Sequence, residues 1–137
     1  MKHDITWLVG RQFAQVEKMD YTWFLRLDDG SVIATESTWR LVTDQGVTVT
    51  SEDDGQQFGL PAPLDVASAV EKELAGQTVS GFGLDSITGD LTIEFESKRL
   101  QILCLSSGYE SWRLTHGTQD LICTGGGNIV EFTQGKK

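Results

Sequence analysis

The side chains able to do chemistry are few and scattered. There are histidines at positions 3 and 116, cysteines at 104 and 123, and carboxylates grouped as Asp28-Asp29, Glu52-Asp53-Asp54 and Glu94 with Glu96. A structural zinc centre needs four clustered ligands, and no Cys-x-x-Cys or close His pair occurs. His116 reads as a turn histidine. Cys104 and Cys123 both fall in apolar runs, where a thiol is inert, so they read as buried, reduced thiols rather than nucleophiles paired with His116. No Gly-x-Ser-x-Gly elbow exists to present a serine. Acid–base catalysis needs two carboxylates in a cleft with separated pKa values. These acids are expected on turns, a loop and an open strand face. The run Glu52 to Asp54 lacks the alternating acids of a calcium loop. Gly125-Gly126-Gly127 precedes a strand-like run, Asn128 to Phe132, whereas a phosphate cradle leads into a helix. It reads as a turn or bulge. The sequence therefore offers no catalytic residue, no metal site and no cofactor site.

The elements that must carry these residues are legible in part. The chain has 137 residues and a formal charge of −9, with 39% apolar residues and only two prolines. Length and composition fit one domain able to bury a core without staples. A surface this acidic repels phosphate backbones and anionic membranes and attracts basic proteins or cations. No run approaches the ~20 apolar residues of a membrane span. The start, Met1-Lys2-His3-Asp4, has no apolar leader. A cytoplasmic protein is the expectation.

The most informative feature is internal repetition. Leu8-Val9-Gly10-Arg11-Gln12-Phe13 returns as Leu74-Ala75-Gly76-Gln77-Thr78-Val79, and Trp23 to Leu27 lines up with Leu91 to Phe95. Glu36-Ser37-Thr38-Trp39-Arg40-Leu41 returns as Glu110-Ser111-Trp112-Arg113-Leu114, and Val47 to Thr50 as Leu121 to Thr124. A unit of this size cannot bury its apolar face alone, so two copies must shelter each other.

Within each copy the pattern is that of strands. Leu91, Ile93 and Phe95 alternate with Thr92, Glu94 and Glu96, the period of a half-buried antiparallel strand. Asp28-Asp29-Gly30 signals a hairpin, and Ser97-Lys98-Arg99 takes its place in the second copy. Further turns are expected at 43–46, 106–108 and 116–119. Pro63 to Leu74 has helical spacing, with Pro63 at its start and Gly76 at its stop. The fold class is therefore mainly β (α+β). Two diverged antiparallel β-meander repeats pack around a pseudo-twofold axis, with one short helix between them. The single domain divides into unit A at about 8–50, an acidic loop at 51–60, a helix at about 63–75, unit B at about 74–124 and a C-terminal strand at about 128–133.

The pattern Leu-x-Gly, then Asp-Asp-Gly-Ser and Glu-Ser, then Tyr109-Glu110-Ser111-Trp112-Arg113-Leu114 and Cys123-Thr124-Gly125-Gly126-Gly127 resembles a family of small bacterial proteins of unknown function. The resemblance covers roughly positions 7–132 and implies the two-part β-rich architecture and a bacterial setting, without catalytic residues. In size and acidity the chain is also similar to toxin-immunity proteins.

These readings favour a non-enzymatic acidic binding protein that captures a basic partner, such as a bacterial toxin. Steering would fall to Asp28, Asp29, Glu52, Asp53, Asp54, Glu94 and Glu96. Phe24, which shares a strand face with Arg26, would be the aromatic anchor. Trp39 and Trp112 belong to the core. A small-ligand site in a cleft between the copies, an enzyme, and a homodimer made by edge-strand pairing are the competing readings.

Overall fold

Residues 3–133 are described by a computed structural model. They form two antiparallel sheets and one helix. The first half contributes β1 (Phe13–Met19), β2 (Thr22–Leu27), β3 (Val32–Thr35), β4 (Trp39–Thr43) and β5 (Gly46–Thr50). After the helix α1 (Val66–Leu74) come β6 (Gly81–Leu84), β7 (Leu91–Phe95), β8 (Lys98–Ile102), β9 (Trp112–His116), β10 (Gln119–Cys123) and β11 (Ile129–Thr133).

One sheet runs β1-β2-β3-β9-β10-β11 and the other β5-β4-β8-β7-β6. Each half thus lays a three-stranded meander in one sheet and crosses over to the other, where the first half adds the β4–β5 hairpin and the second adds β9, β10 and β11. The pairings run in parallel between the halves. Leu25 faces Ile33 and Ile33 faces Leu114 in the first sheet, as Ile93 faces Leu100 and Leu100 faces Leu41 in the second.

Alternation places the core. Trp23, Leu25 and Leu27 of β2 point inward while Phe24 and Arg26 stay half-buried on the other face. Leu91, Ile93 and Phe95 of β7 are fully buried, as are Trp39 and Trp112. A single cluster of buried side chains draws on both halves. Across the sheets Trp23 meets Trp39 edge-on at 5.2 Å between ring centroids, and Phe13 meets Phe95 at 6.0 Å. Such edge-to-face pairs add to the burial of large rings.

The segments before β1 and β6 pair with each other. Gly10 N donates to Val79 O and Gly76 N to Phe13 O, both at 2.9 Å. Phe13 N donates to Gln77 O at 2.9 Å, and Val79 N to Arg11 O at 2.8 Å. Gly10 and Gly76 both take the left-handed backbone, at φ 94° and 82°, that a side chain disfavours.

The helix starts later than the proline suggests. Its first residue is Val66, because the Asp65 carboxylate caps it by accepting from Ser68 N at 3.1 Å. Pro63 lies outside, since a capping aspartate sets a helix start more firmly than a proline can. Val66, Val70 and Leu74 are fully buried. Glu71 Oε2 accepts from Val16 N at 2.7 Å, so the helix also covers the open edge of β1.

Other boundaries shift for local reasons. The β7–β8 turn is Glu96-Ser97, not 97–99, and Lys98 and Arg99 belong to β8. A two-residue hairpin loop needs positive φ, and Glu96 supplies it at 42° while its N–H is held by Ser80 Oγ at 3.1 Å. The 51–60 loop opens with a 3₁₀ turn, Ser51–Asp53, capped by Thr50. Cys104 lies just beyond β8 and is half-buried rather than buried, its N–H turned from the ladder to Asp90 Oδ1 at 2.8 Å. β1, β6 and β8 carry polar or glycine-rich sequences whose alternation is obscured, and β1 is bulged between Phe13 and Gln15.

Candidate functional site

The expected acidic residues do not form one surface. Asp28 and Asp29 occupy the β2–β3 turn and are spent on it. Asp28 Oδ1 accepts from Gln12 N at 3.1 Å, and Asp29 Oδ1 from Ser31 N at 3.0 Å. Glu52 Oε2 accepts from Thr38 Oγ1 at 2.8 Å, and Asp54 Oδ1 from Val66 N at 3.1 Å. Asp53 is half-buried in the 3₁₀ turn between them. Glu94 and Glu96 are exposed at the β7 end, where the Glu94 carboxylate lies over Gly81 of the paired strand. Most of these acids bond to turns or neighbouring backbone, and of them Glu52 and Asp54 share one hollow, with Lys18, Tyr21 and Glu36.

One cluster assembles residues that the sequence keeps apart. His116 Nδ1 lies 2.8 Å from Ser31 Oγ and 3.4 Å from Asp29 Oδ2, and the imidazole stacks on Trp7 at 3.8 Å between centroids. Burial raises the Asp29 pKa, but hydrogen bonds from Ser31 and the charges of His116 and Arg11 outweigh it and hold the carboxyl below its usual value. The residue types are those of a hydrolase triad, but the wiring differs. A proton relay uses the two ring nitrogens separately, one for the serine and one for the acid. Here a single nitrogen serves both, and Ser31 is buried. The cluster therefore fastens the Thr6–Leu8 turn and the β2–β3 hairpin to β9. Among the described residues no three of His, Cys, Asp and Glu gather as metal ligands would.

A hollow with exposed aromatic surface lies elsewhere, on the outer side of the six-stranded sheet. It measures about 550 Å³ and is lined by Phe24, Ala34, Tyr109, Glu36 and Glu110, with Thr22, Thr35 and Ser111. Strand register makes its floor, since Phe24 lies opposite Ala34. The β8–β9 crossover supplies the wall. Gly108 N and Tyr109 N both donate to Ser106 Oγ, at 3.0 and 2.9 Å. Ser111 is clamped between Cys123 O, 2.8 Å from its N–H, and Thr35 Oγ1, 2.6 Å from its carbonyl. Tyr109 is thereby held 78% exposed. Thr22 Oγ1 donates to Glu36 Oε2 at 3.1 Å, and Glu110 stands 3.8 Å from Arg113 Nε with half its side chain exposed.

This arrangement suits a cation. Two aromatic rings offer π faces and two carboxylates supply charge at the rim, the combination that holds a guanidinium or ammonium group. The protein itself does this on one flank, where the Arg26 guanidinium sits 5.4 Å from the Phe24 ring centroid and 3.1 Å from Glu17 Oε1. Phe24 was legible from strand parity. Tyr109, Glu36 and Glu110 were not, because only the crossover folding back over β3 and β9 brings them together. A larger hollow, about 600 Å³, lies between the end of β6 and the start of β11, lined by Leu84, Ile87, Ile129 and the Gly126-Gly127 turn among others. It has no carboxylate and no aromatic ring in its wall other than His3.

Fold and hollow together define a two-sheet antiparallel β-sandwich with a single covering helix and an acidic aromatic hollow on one outer face. Comparison with known proteins returned no matching family model, no matching curated protein and no matching solved structure. Among the described residues no helix is long and apolar enough to cross a membrane.

Proposed function

We propose that this chain is a non-enzymatic acidic binding protein that captures a basic protein partner through the hollow between Phe24 and Tyr109. The observation that carries the reading is the pairing of an exposed tyrosine with a half-buried phenylalanine, flanked by Glu36 and Glu110, on a chain of net charge −9. The long-range field attracts a cationic surface, and the hollow supplies the desolvated anchor point that fixes it. A basic bacterial toxin domain is a partner of this kind, which makes an immunity protein the specific role we advance.

The experiment uses a defined probe. An Arg-Gly-Arg peptide amide is titrated into the isotope-labelled full chain, with Glu-Gly-Glu as control. The reading requires amide shifts confined to Phe24, Ala34, Glu36 and residues 109–111, saturating with the basic peptide only. These shifts should weaken as salt rises and fall at least about tenfold in apparent affinity in Glu36→Gln/Glu110→Gln. Shifts centred on Asp53 or Glu94, or none at low salt, would remove the hollow from consideration.

We also infer that the two halves are diverged copies of one unit related by a local twofold. The exchanged hydrogen bonds between residues 10–13 and 76–79 support this, as do the corresponding registers around Ile33 and Leu100. A superposition of residues 8–50 on 74–124 that needs anything but a rotation near a half-turn would sink the inference.

A further inference from the structure

Cys104 and Cys123 stand on two turns packed against each other. Cys104 N donates to Asp90 Oδ1 at 2.8 Å, and its Sγ lies 3.8 Å from Ser106 O. Cys123 is fully buried at the end of β10, its Sγ 3.6 Å from Thr124 O. Gly126 N donates to Ser106 O at 2.8 Å, tying one turn to the other. Gly125 approaches Gly108 so closely that an added Cβ would lie 2.5 Å from its backbone. A Cβ added at Gly89 would lie 2.7 Å from Cys123 Sγ, and the next residue, Asp90, holds Cys104 N, so the same turn borders both cysteines, and both thiols are free.

We propose that Cys104 and Cys123 form a redox modification site, closing an intramolecular disulfide by exchange with a low-molecular-weight disulfide of the glutathione class. The exchange has two steps. Cys104 gives its proton to solvent, and its sulfur attacks one sulfur of the glutathione disulfide. The first glutathione leaves as a thiolate and takes up a proton. Cys123 then loses its proton and attacks the Cys104 sulfur of the mixed disulfide, releasing the second glutathione, which is protonated in turn. Two protein thiols are oxidised and one small disulfide is reduced to two thiols.

The order of attack follows from burial. The Cys123 thiol is pushed up to about 12, first by burial and then by the neighbouring Cys104 thiol and the Asp90 carboxylate. Only the thiolate attacks, so half-buried Cys104 reacts first and closure by Cys123 is the slow step. The bond would staple the β8–β9 crossover, which carries Tyr109 and Glu110, to the six-stranded sheet. Any effect on the hollow rests on the proposed function, but the disulfide does not.

The reduced full chain is incubated with glutathione disulfide at mildly alkaline pH and followed by intact mass. Wild type should lose the mass of two hydrogens by way of a transient glutathione adduct. Cys123→Ser should stop at the adduct, and Cys104→Ser should stay unmodified over the same interval. Asp90→Asn keeps an oxygen for Cys104 N and removes the charge facing Cys123, so closure should quicken about threefold or more. The proposal is overturned if wild type accumulates the adduct without closing, or stays reduced while Cys123→Ser reacts. Should a serine variant fail to fold, peptide mapping of oxidised wild type decides. A linked Cys104–Cys123 peptide supports the site, and two separate adducts or an intermolecular link overturn it. The peptide titration uses reduced protein, so either proposal can fail alone.

Discussion

Trp39 and Trp112 are both fully buried, at the starts of β4 and β9, yet only one indole N–H has an acceptor. Trp112 Nε1 donates to Gly89 O at 2.9 Å, whereas among the described residues Trp39 Nε1 has none. A buried donor without a partner carries its full desolvation penalty, and removing one side of a made bond orphans the other. Replacing each tryptophan by phenylalanine removes similar volume, so the difference isolates the hydrogen bond. Trp112→Phe should cost about 1–2 kcal/mol more than Trp39→Phe in urea unfolding. Equal costs would mean that the Gly89 contact contributes nothing net.

The contact between Glu71 and Val16 N gives a second test. An edge strand that lends its N–H to a charged acceptor is both stabilised and hidden from other strands. Glu71→Ala should lower stability by about 1–2 kcal/mol, while Glu71→Gln, which keeps an acceptor, should lose less. Amide exchange at Val16 should quicken in the alanine variant more than at Leu25 in the adjacent strand. Uniform quickening across the sheet would show that only global stability had changed.

Acid should weaken the Asp29 cluster in a defined direction. The folded pKa of Asp29 lies below the ordinary value of 3.8, burial notwithstanding, because Ser31, His116 and Arg11 favour its charged form. A carboxyl lowered on folding stabilises the protein above its unfolded pKa and stops doing so as pH falls through the folded value. Asp29→Asn should therefore be less stable than wild type near pH 6, and the two should converge as pH drops below that of an ordinary carboxyl. A gap that persists unchanged into acid would mean that shape, not charge, sets the cost.

The sequence by itself determined the class of fold, because period-two alternation in runs such as Leu91–Phe95 leaves a half-buried antiparallel strand as the way to bury one face. It also determined the burial of Trp39 and Trp112, which recur at matched positions of the two copies, and the outward side of Phe24, which follows from parity along one strand. Local signals stopped short at the helix start, where the Asp65 cap outranked Pro63, and at the Glu96-Ser97 turn, where a non-glycine residue takes positive φ. Only the tertiary structure decided which residues meet. Strand order across the two sheets places His116 beside Ser31 and Asp29, brings the turns after Cys104 and Cys123 together, and puts Tyr109 and Phe24 in one hollow. Those neighbours are 85 or so residues apart in the chain for His116 and Ser31, and no periodicity along a strand records which strand will lie next to it.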